Sequence, residues 1–64
     1  MGAQFFGNAA YKQYLESAQW ATSVNLHMEA GVFFSSAAEL RQGMLDEGYA
    51  DPAESLPKVV TPTT

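Results

Sequence analysis

Cysteine is absent from this chain of 64 residues, and histidine occurs once. Without cysteine the chain has neither a disulfide framework nor a thiolate metal site. A single histidine would need at least two carboxylate partners to hold zinc. A chain this short buries only about 60% of the surface that its unfolded form exposes, so it usually depends on a disulfide, a metal or a partner. Burial against a partner is the device that remains, and we expect no cofactor.

Basic residues are also scarce. Three Lys and Arg stand against seven Asp and Glu, which gives a formal net charge of −4. Nucleic acids and anionic lipid surfaces are bound by clustered basic residues, so we expect neither as a partner. No apolar run approaches the roughly 20 residues of a membrane span, and no secretory signal opens the chain. These absences favour the cytoplasm or a viral particle as the location.

An aromatic pair, a polar capping residue and two alanines occur together twice, in Phe5-Phe6-Gly7-Asn8-Ala9-Ala10 and in Phe33-Phe34-Ser35-Ser36-Ala37-Ala38. Asn and Ser side chains accept hydrogen bonds from the free N–H groups of a first helical turn, and Ala favours the helix that follows. The pattern predicts helices that begin at Asn8 and Ser36. Glu39 completes a capping box with Ser36 and strengthens the second prediction.

The predicted fold is all-α, a small helical hairpin of two helices plus a short C-terminal turn, with extended termini. Residues 1–7 are interpreted as an apolar leader, 8–56 as the hairpin module and 57–64 as an extended tail. The first helix is expected to run to about Ala30 and to stop at Gly31, and the second to end at Gly48. Asp51 followed by Pro52 predicts a third, one-turn helix start.

Residues 24–32 allow a second interpretation. Apolar residues alternate there with Asn25, His27, Glu29 and Gly31, and this period of two is typical of a half-buried strand. Leu, Met, Ala and Glu are better helix formers than strand formers, so we favour a helix and keep the strand as the alternative. Gly43 weakens the middle of the second helix by about 1 kcal/mol relative to Ala and is consistent with a close contact there.

Helical periodicity predicts which residues face the interior. The apolar side of the first helix carries Tyr11, Tyr14, Leu15, Ala18, Ala21, Val24 and Met28. The stripe of the second helix carries Ala37, Leu40, Met44 and Leu45.

Catalytic chemistry has one candidate, His27 with Glu16 or Glu29. Glu16 and His27 are eleven residues apart, about 16 Å along one helix, so they cannot share a metal within one chain. The carboxylates of Asp46, Glu47, Asp51 and Glu54 are interpreted as capping and solubilising groups because calcium-loop spacing is missing. We therefore expect no enzyme.

The aromatic residues indicate protein binding more than chemistry. Aromatic anchors often carry interface energy, and a small hairpin has little interior for them. For Trp20 a core position is the more ordinary interpretation. Val59 and Val60 lie in a β-prone tail that could add to the edge of a partner's sheet. The predicted partner-binding residues are Phe5, Phe6, Trp20, Phe33, Phe34, Val59 and Val60.

The function expected from these features is that of a non-catalytic structural or accessory subunit in a multi-subunit assembly or homo-oligomer, such as a virion decoration or cement protein. The alternative is a small acidic regulator or inhibitor, antitoxin-like or a DNA mimic. The stretch Phe34-Ser35-Ser36-Ala37-Ala38-Glu39-Leu40 resembles the second helix of ribbon-helix-helix antitoxins, although the basic N-terminal strand of that family has no counterpart here.

Overall fold

The computed structural model describes residues 2–56, which form two helices and a single 3-10 turn in the order α1 (Gly2–Ser23), α2 (His27–Asp46) and η1 (Pro52–Ser55). The two long helices run antiparallel, since Gly7 near the start of α1 lies against Met44 near the end of α2. No strand occurs among the described residues. The predicted helical hairpin with a short C-terminal turn is confirmed.

The N-terminal segment differs from its prediction. Residues 2–7 are the first turns of α1 and not an extended leader, and Asn8 lies inside the helix and does not cap it. The Asn8 Oδ1 accepts a hydrogen bond from Gln4 Nε2 at 3.0 Å, so its polar atom is satisfied by a neighbour one turn away. Ala3 and Gln4 are good helix formers, and they extend the helix back past the residue with capping chemistry.

The break between the helices falls at residues 24–26, and not at Gly31 through Ser35. Asn25 adopts φ 65°, a left-handed conformation that Asn tolerates better than most residues. The N–H of Asn25 donates to Thr22 O, and the N–H of Leu26 donates to Ala21 O. This pair of bonds is a Schellman motif, so α1 ends with its last carbonyls satisfied.

Two further predictions about α2 are wrong for the same reason. Because the turn comes earlier, the helix begins at His27, and Gly31 and Ser36 are interior positions. Ser36 therefore caps nothing, and the capping box with Glu39 does not form. The alternating stretch from residue 24 to 32 is a turn followed by helix, so the favoured helix is correct for residues 27–32 and the strand alternative is wrong.

The C-terminal end of α2 follows its prediction. Gly48 has φ 88°, the N–H of Gly48 donates to Leu45 O, and the N–H of Tyr49 donates to Met44 O. Both long helices thus end in the same type of cap. Asp51 caps η1 through its Oδ1, which accepts from the N–H of Ala53 at 2.9 Å, and Pro52 occupies the first position of that turn.

The seam between the helices is built from small side chains. Ala18 and Ala21 of α1 and Ala30 and Ala37 of α2 are buried, and Met44 is the large buried member. On α2 the buried residues recur every seven positions, the spacing that keeps a helix face on its partner in antiparallel pairs. Gly7 leaves room for Met44, because a Cβ at residue 7 would lie 2.5 Å from Met44 Cε.

The predicted interior faces are thus partly correct. Ala18, Ala21, Ala37 and Met44 are buried as expected. Val24 and Met28 are exposed because the chain turns between them and they never share a helix. Leu45 also lies at the surface, one residue past the seam position that Met44 occupies.

Candidate protein-interaction surface

Three exposed aromatic side chains of α1 form what we call the outer aromatic surface: Phe5, Phe6 and Trp20. At 100° per residue Phe5 and Trp20 point away from the side that carries Gly7, Ala18 and Ala21 and faces α2, whereas Phe6 points about 90° to one side of it. Their exposed fractions are 68%, 69% and 60%. The interpretation of Trp20 as a core residue is therefore wrong, because residue 20 lies on the side of α1 that faces away from α2.

The phenylalanine pair has a defined internal geometry. The rings of Phe5 and Phe6 meet edge to face, with centroids 5.7 Å apart and planes at 78°. Aromatic pairs favour this arrangement because the positive ring edge meets the negative face. Two rings that contact each other and still expose most of their area form an apolar projection at one end of the hairpin.

The helical turn that carries this pair is held from the other end of the chain. Gln4 Oε1 accepts from the N–H of Ala50 at 2.9 Å, and Gln4 Nε2 donates to Ala50 O at 3.2 Å. This two-way bond, the Gln4–Ala50 bracket, fixes the first turn of α1 against the segment that leads into η1. The pair is thereby placed in a helix and not on a free leader.

The segment beyond the bracket is anchored in turn by an ion pair. Arg41 donates through two nitrogens to the two carboxylate oxygens of Asp51, each at 2.9 Å. The hydrogen bond from Arg41 lowers the pKa of the Asp51 carboxyl, and the bond from the Ala53 N–H lowers it further. The same hydrogen bond raises the pKa of Arg41. Asp51 therefore both caps η1 and docks it on α2.

The second aromatic pair is split by the helix geometry. Phe33 is half-buried beside the seam, whereas Phe34, 100° further round α2, is 47% exposed. Trp20 lies near the turn, and Phe5 lies about 22 Å away along α1. The structure therefore spreads the predicted partner-binding aromatics over several surfaces. Val59 and Val60 lie outside the described residues.

The candidate catalytic residue lies at the surface. His27 is the first residue of α2 and is exposed. Within residues 2–56 no three His, Asp or Glu side chains come close enough to hold a metal ion. In the same part of the chain, neither helix combines the length and the apolar character that crossing a bilayer requires.

Comparison of the chain with protein-family models, with curated proteins and with solved structures finds no match.

Two elements that organise this surface escape the sequence analysis. The Gln4–Ala50 bracket joins residues that are 46 positions apart, and no local pattern indicates such a pair. The turn at Asn25 does carry a local signal, since Asn is enriched among residues with positive φ. The prediction instead followed the stop signal at Gly31 and the cap signal at Ser36.

Proposed function

We propose that this chain is a non-catalytic structural or accessory subunit, which docks on another protein chain of a larger assembly through the outer aromatic surface. The observation that carries the proposal is the exposure of Phe5, Phe6 and Trp20 on the side of α1 that the hairpin does not use. Burying one such ring is worth about 1.5–3 kcal/mol, so burial of all three against a partner would strongly favour binding.

The composition of this surface suits a protein partner. Trp and Phe are enriched at the centres of protein interfaces, and aromatic side chains have only two χ angles to immobilise on binding. Between Phe5 and Trp20 the same side of α1 carries Lys12, Gln13 and Glu16, which could form polar contacts around the rings. Virion decoration is one setting for such a subunit, and a small subunit of an enzyme complex is another.

The test compares matched losses of apolar surface. The tagged full-length chain is expressed in its native cell and its size is followed by gradient sedimentation. We expect wild type to co-sediment with a large species and Phe5→Ala/Trp20→Ala to remain in the light fractions. Met28→Ala is the control, since Met28 is 84% exposed but lies on α2. Circular dichroism should show equal helix content in all three proteins.

A photo-reactive phenylalanine analogue at position 5 identifies the partner directly. It should label one discrete protein of the large species, whereas the same analogue at position 28 should not. Equal sedimentation of the double variant and wild type, or absence of any large species, would contradict the proposed function.

A further inference from the structure

Residues 49–56 form a segment that we call the C-terminal strap, and it is fastened to both helices. Ala50 is bonded to Gln4 of α1 in both directions, at 2.9 and 3.2 Å. Asp51 accepts two hydrogen bonds from Arg41 of α2, each at 2.9 Å. The strap therefore ties the first turn of α1 to the C-terminal part of α2.

The first turns of α1 have little support from their own sequence. Gly7 lies inside the helix and lowers its helical population about fivefold relative to alanine, and the helix also begins on a glycine, Gly2. No acidic residue in the first turn interacts with the helix dipole. None of residues 2–7 is buried, and Phe5 and Phe6 expose most of their surface. Helical structure here therefore depends on contacts from outside the helix.

The strap supplies such a contact at the turn that carries the aromatic pair. Gly7 lies against Met44 at the seam, whereas the turn before it is held through Gln4 by the strap. Two net hydrogen bonds shift an equilibrium by roughly five- to a hundredfold. This gain is at least as large as the penalty of one helical glycine, so the state of the strap is able to decide the state of the turn.

We propose that the C-terminal strap is a latch for the Phe5–Phe6 pair. With the strap docked the first turns of α1 are helical, and with the strap detached they unwind. Control of docking by this latch rests on the proposed function, because it takes the pair as part of the surface that a partner binds. The effect is reciprocal by thermodynamic linkage, so a partner that binds the helical pair also holds the strap in place.

Hydrogen exchange of the purified full-length chain measures the latch with no partner present. The N–H groups of Phe6 and Gly7 are the reporters, because in a helix each donates to the carbonyl four residues earlier. Gln4→Ala removes the bracket and yet slightly raises helix propensity, so the latch and local propensity predict opposite changes. We expect both reporters to exchange about tenfold faster, while the N–H of the buried Ala18 is unchanged.

Each substitution has a matched control. Gln13→Ala makes the same side-chain change as Gln4→Ala at an exposed position about two and a half turns further along α1. Arg41→Gln frees Asp51 without altering α1, and it should speed exchange of the reporters at least threefold. Gln42→Ala is its control, because it removes a different hydrogen bond to an aspartate, the one from Gln42 to Asp46 on α2.

The sedimentation assay tests the control of docking with the same Arg41→Gln chain, since Arg41 lies outside the outer aromatic surface. We expect the share of this variant in the large species to be at least threefold lower than that of Gln42→Ala. An equal share for the two variants would overturn the control of docking.

The latch itself is refuted if Gln4→Ala exchanges no faster than Gln13→Ala, or if Arg41→Gln leaves the reporters unchanged. If wild type joins no large species, the proposed function and the control that rests on it both fail, and the exchange data alone decide the latch.

Discussion

Replacing Gly7 by alanine tests the closest approach of the two helices. Alanine in a helix interior is worth about 1 kcal/mol over glycine. At residue 7, however, the new Cβ would lie 2.5 Å from Met44 Cε and 2.7 Å from Sδ. An ordinary contact is about 3.5 Å, so the end of the Met44 side chain must retreat by roughly 1 Å.

Two opposing contributions, overpacking and helix propensity, decide whether Gly7→Ala destabilises or stabilises the fold. Overpacking of a core costs typically 1–3 kcal/mol, and Met44 is 6% exposed and has little free space to enter. We expect Gly7→Ala to lower the free energy of unfolding by about 0–2 kcal/mol, despite the gain in helix propensity. In a Met44→Val background the clashing Sδ and Cε atoms are gone. There Gly7→Ala should raise the free energy of unfolding by about 1 kcal/mol.

The measurement is a double-mutant cycle from urea unfolding followed by circular dichroism at one protein concentration. The expected coupling between the two sites is about 1–3 kcal/mol. Gly31→Ala is the control, because its Cβ meets open space, and it should stabilise both backgrounds equally. If Met44→Val does not fold, Met44→Leu ends the side chain at Cδ and so removes the 2.5 Å approach of Cε. A gain from Gly7→Ala in wild type equal to that from Gly31→Ala would refute the close approach.

Three further predictions concern the caps and the docked turn. Asn25→Ala should lower the free energy of unfolding by about 1 kcal/mol, whereas Asn25→Gly should leave it unchanged or raise it, because residue 25 has φ 65°. Urea unfolding measures both effects, and equal effects would contradict the left-handed turn. The pKa of Asp51 is lowered, so its contribution to stability is present above the unfolded-state pKa of about 4 and is lost as the pH falls through the folded-state value. Thermal melts should therefore give wild type a higher Tm than Asp51→Asn at pH 7, and the difference in Tm should vanish in acid. A difference that stays constant with pH would refute the ion pair's role. Ser36→Ala should leave stability within about 0.5 kcal/mol or raise it, because the residue is interior to α2; a loss of about 1 kcal/mol would instead indicate a helix start at that residue.

The sequence predicts the elements whose signals are local and unopposed. Gly48 ends α2 because only a residue tolerant of positive φ suits that position, and Asp51 with Pro52 starts η1. The same logic fails at Asn8 and Ser36, because capping residues also occur inside helices when a neighbour satisfies them or when the helix starts earlier. The location of the break was a competition between Asn25 and Gly31, and propensities alone rank glycine first.

The surface was harder to predict than the fold. Trp20 is exposed because α2 packs on the side of α1 that carries Ala18 and Ala21, and which side of α1 meets α2 is a property of the pair and not of either helix. The side of α1 that carries Phe5 and Phe6 became definite only once the helix was known to begin at Gly2. A helical wheel drawn from Asn8 omits these residues altogether.

The Gln4–Ala50 bracket also determines when the helical turn that carries the aromatic pair becomes ordered. The end of a helix ordinarily frays at almost no cost in free energy. Here, releasing the first turn of α1 also requires parting Gln4 from Ala50, and Ala50 precedes the Asp51 that Arg41 holds. Phe5 and Phe6 therefore belong to the same cooperative unit as the docked C-terminal turn. The backbone that carries the two rings is therefore ordered during folding, and only the two side chains lose entropy when a protein binds the pair.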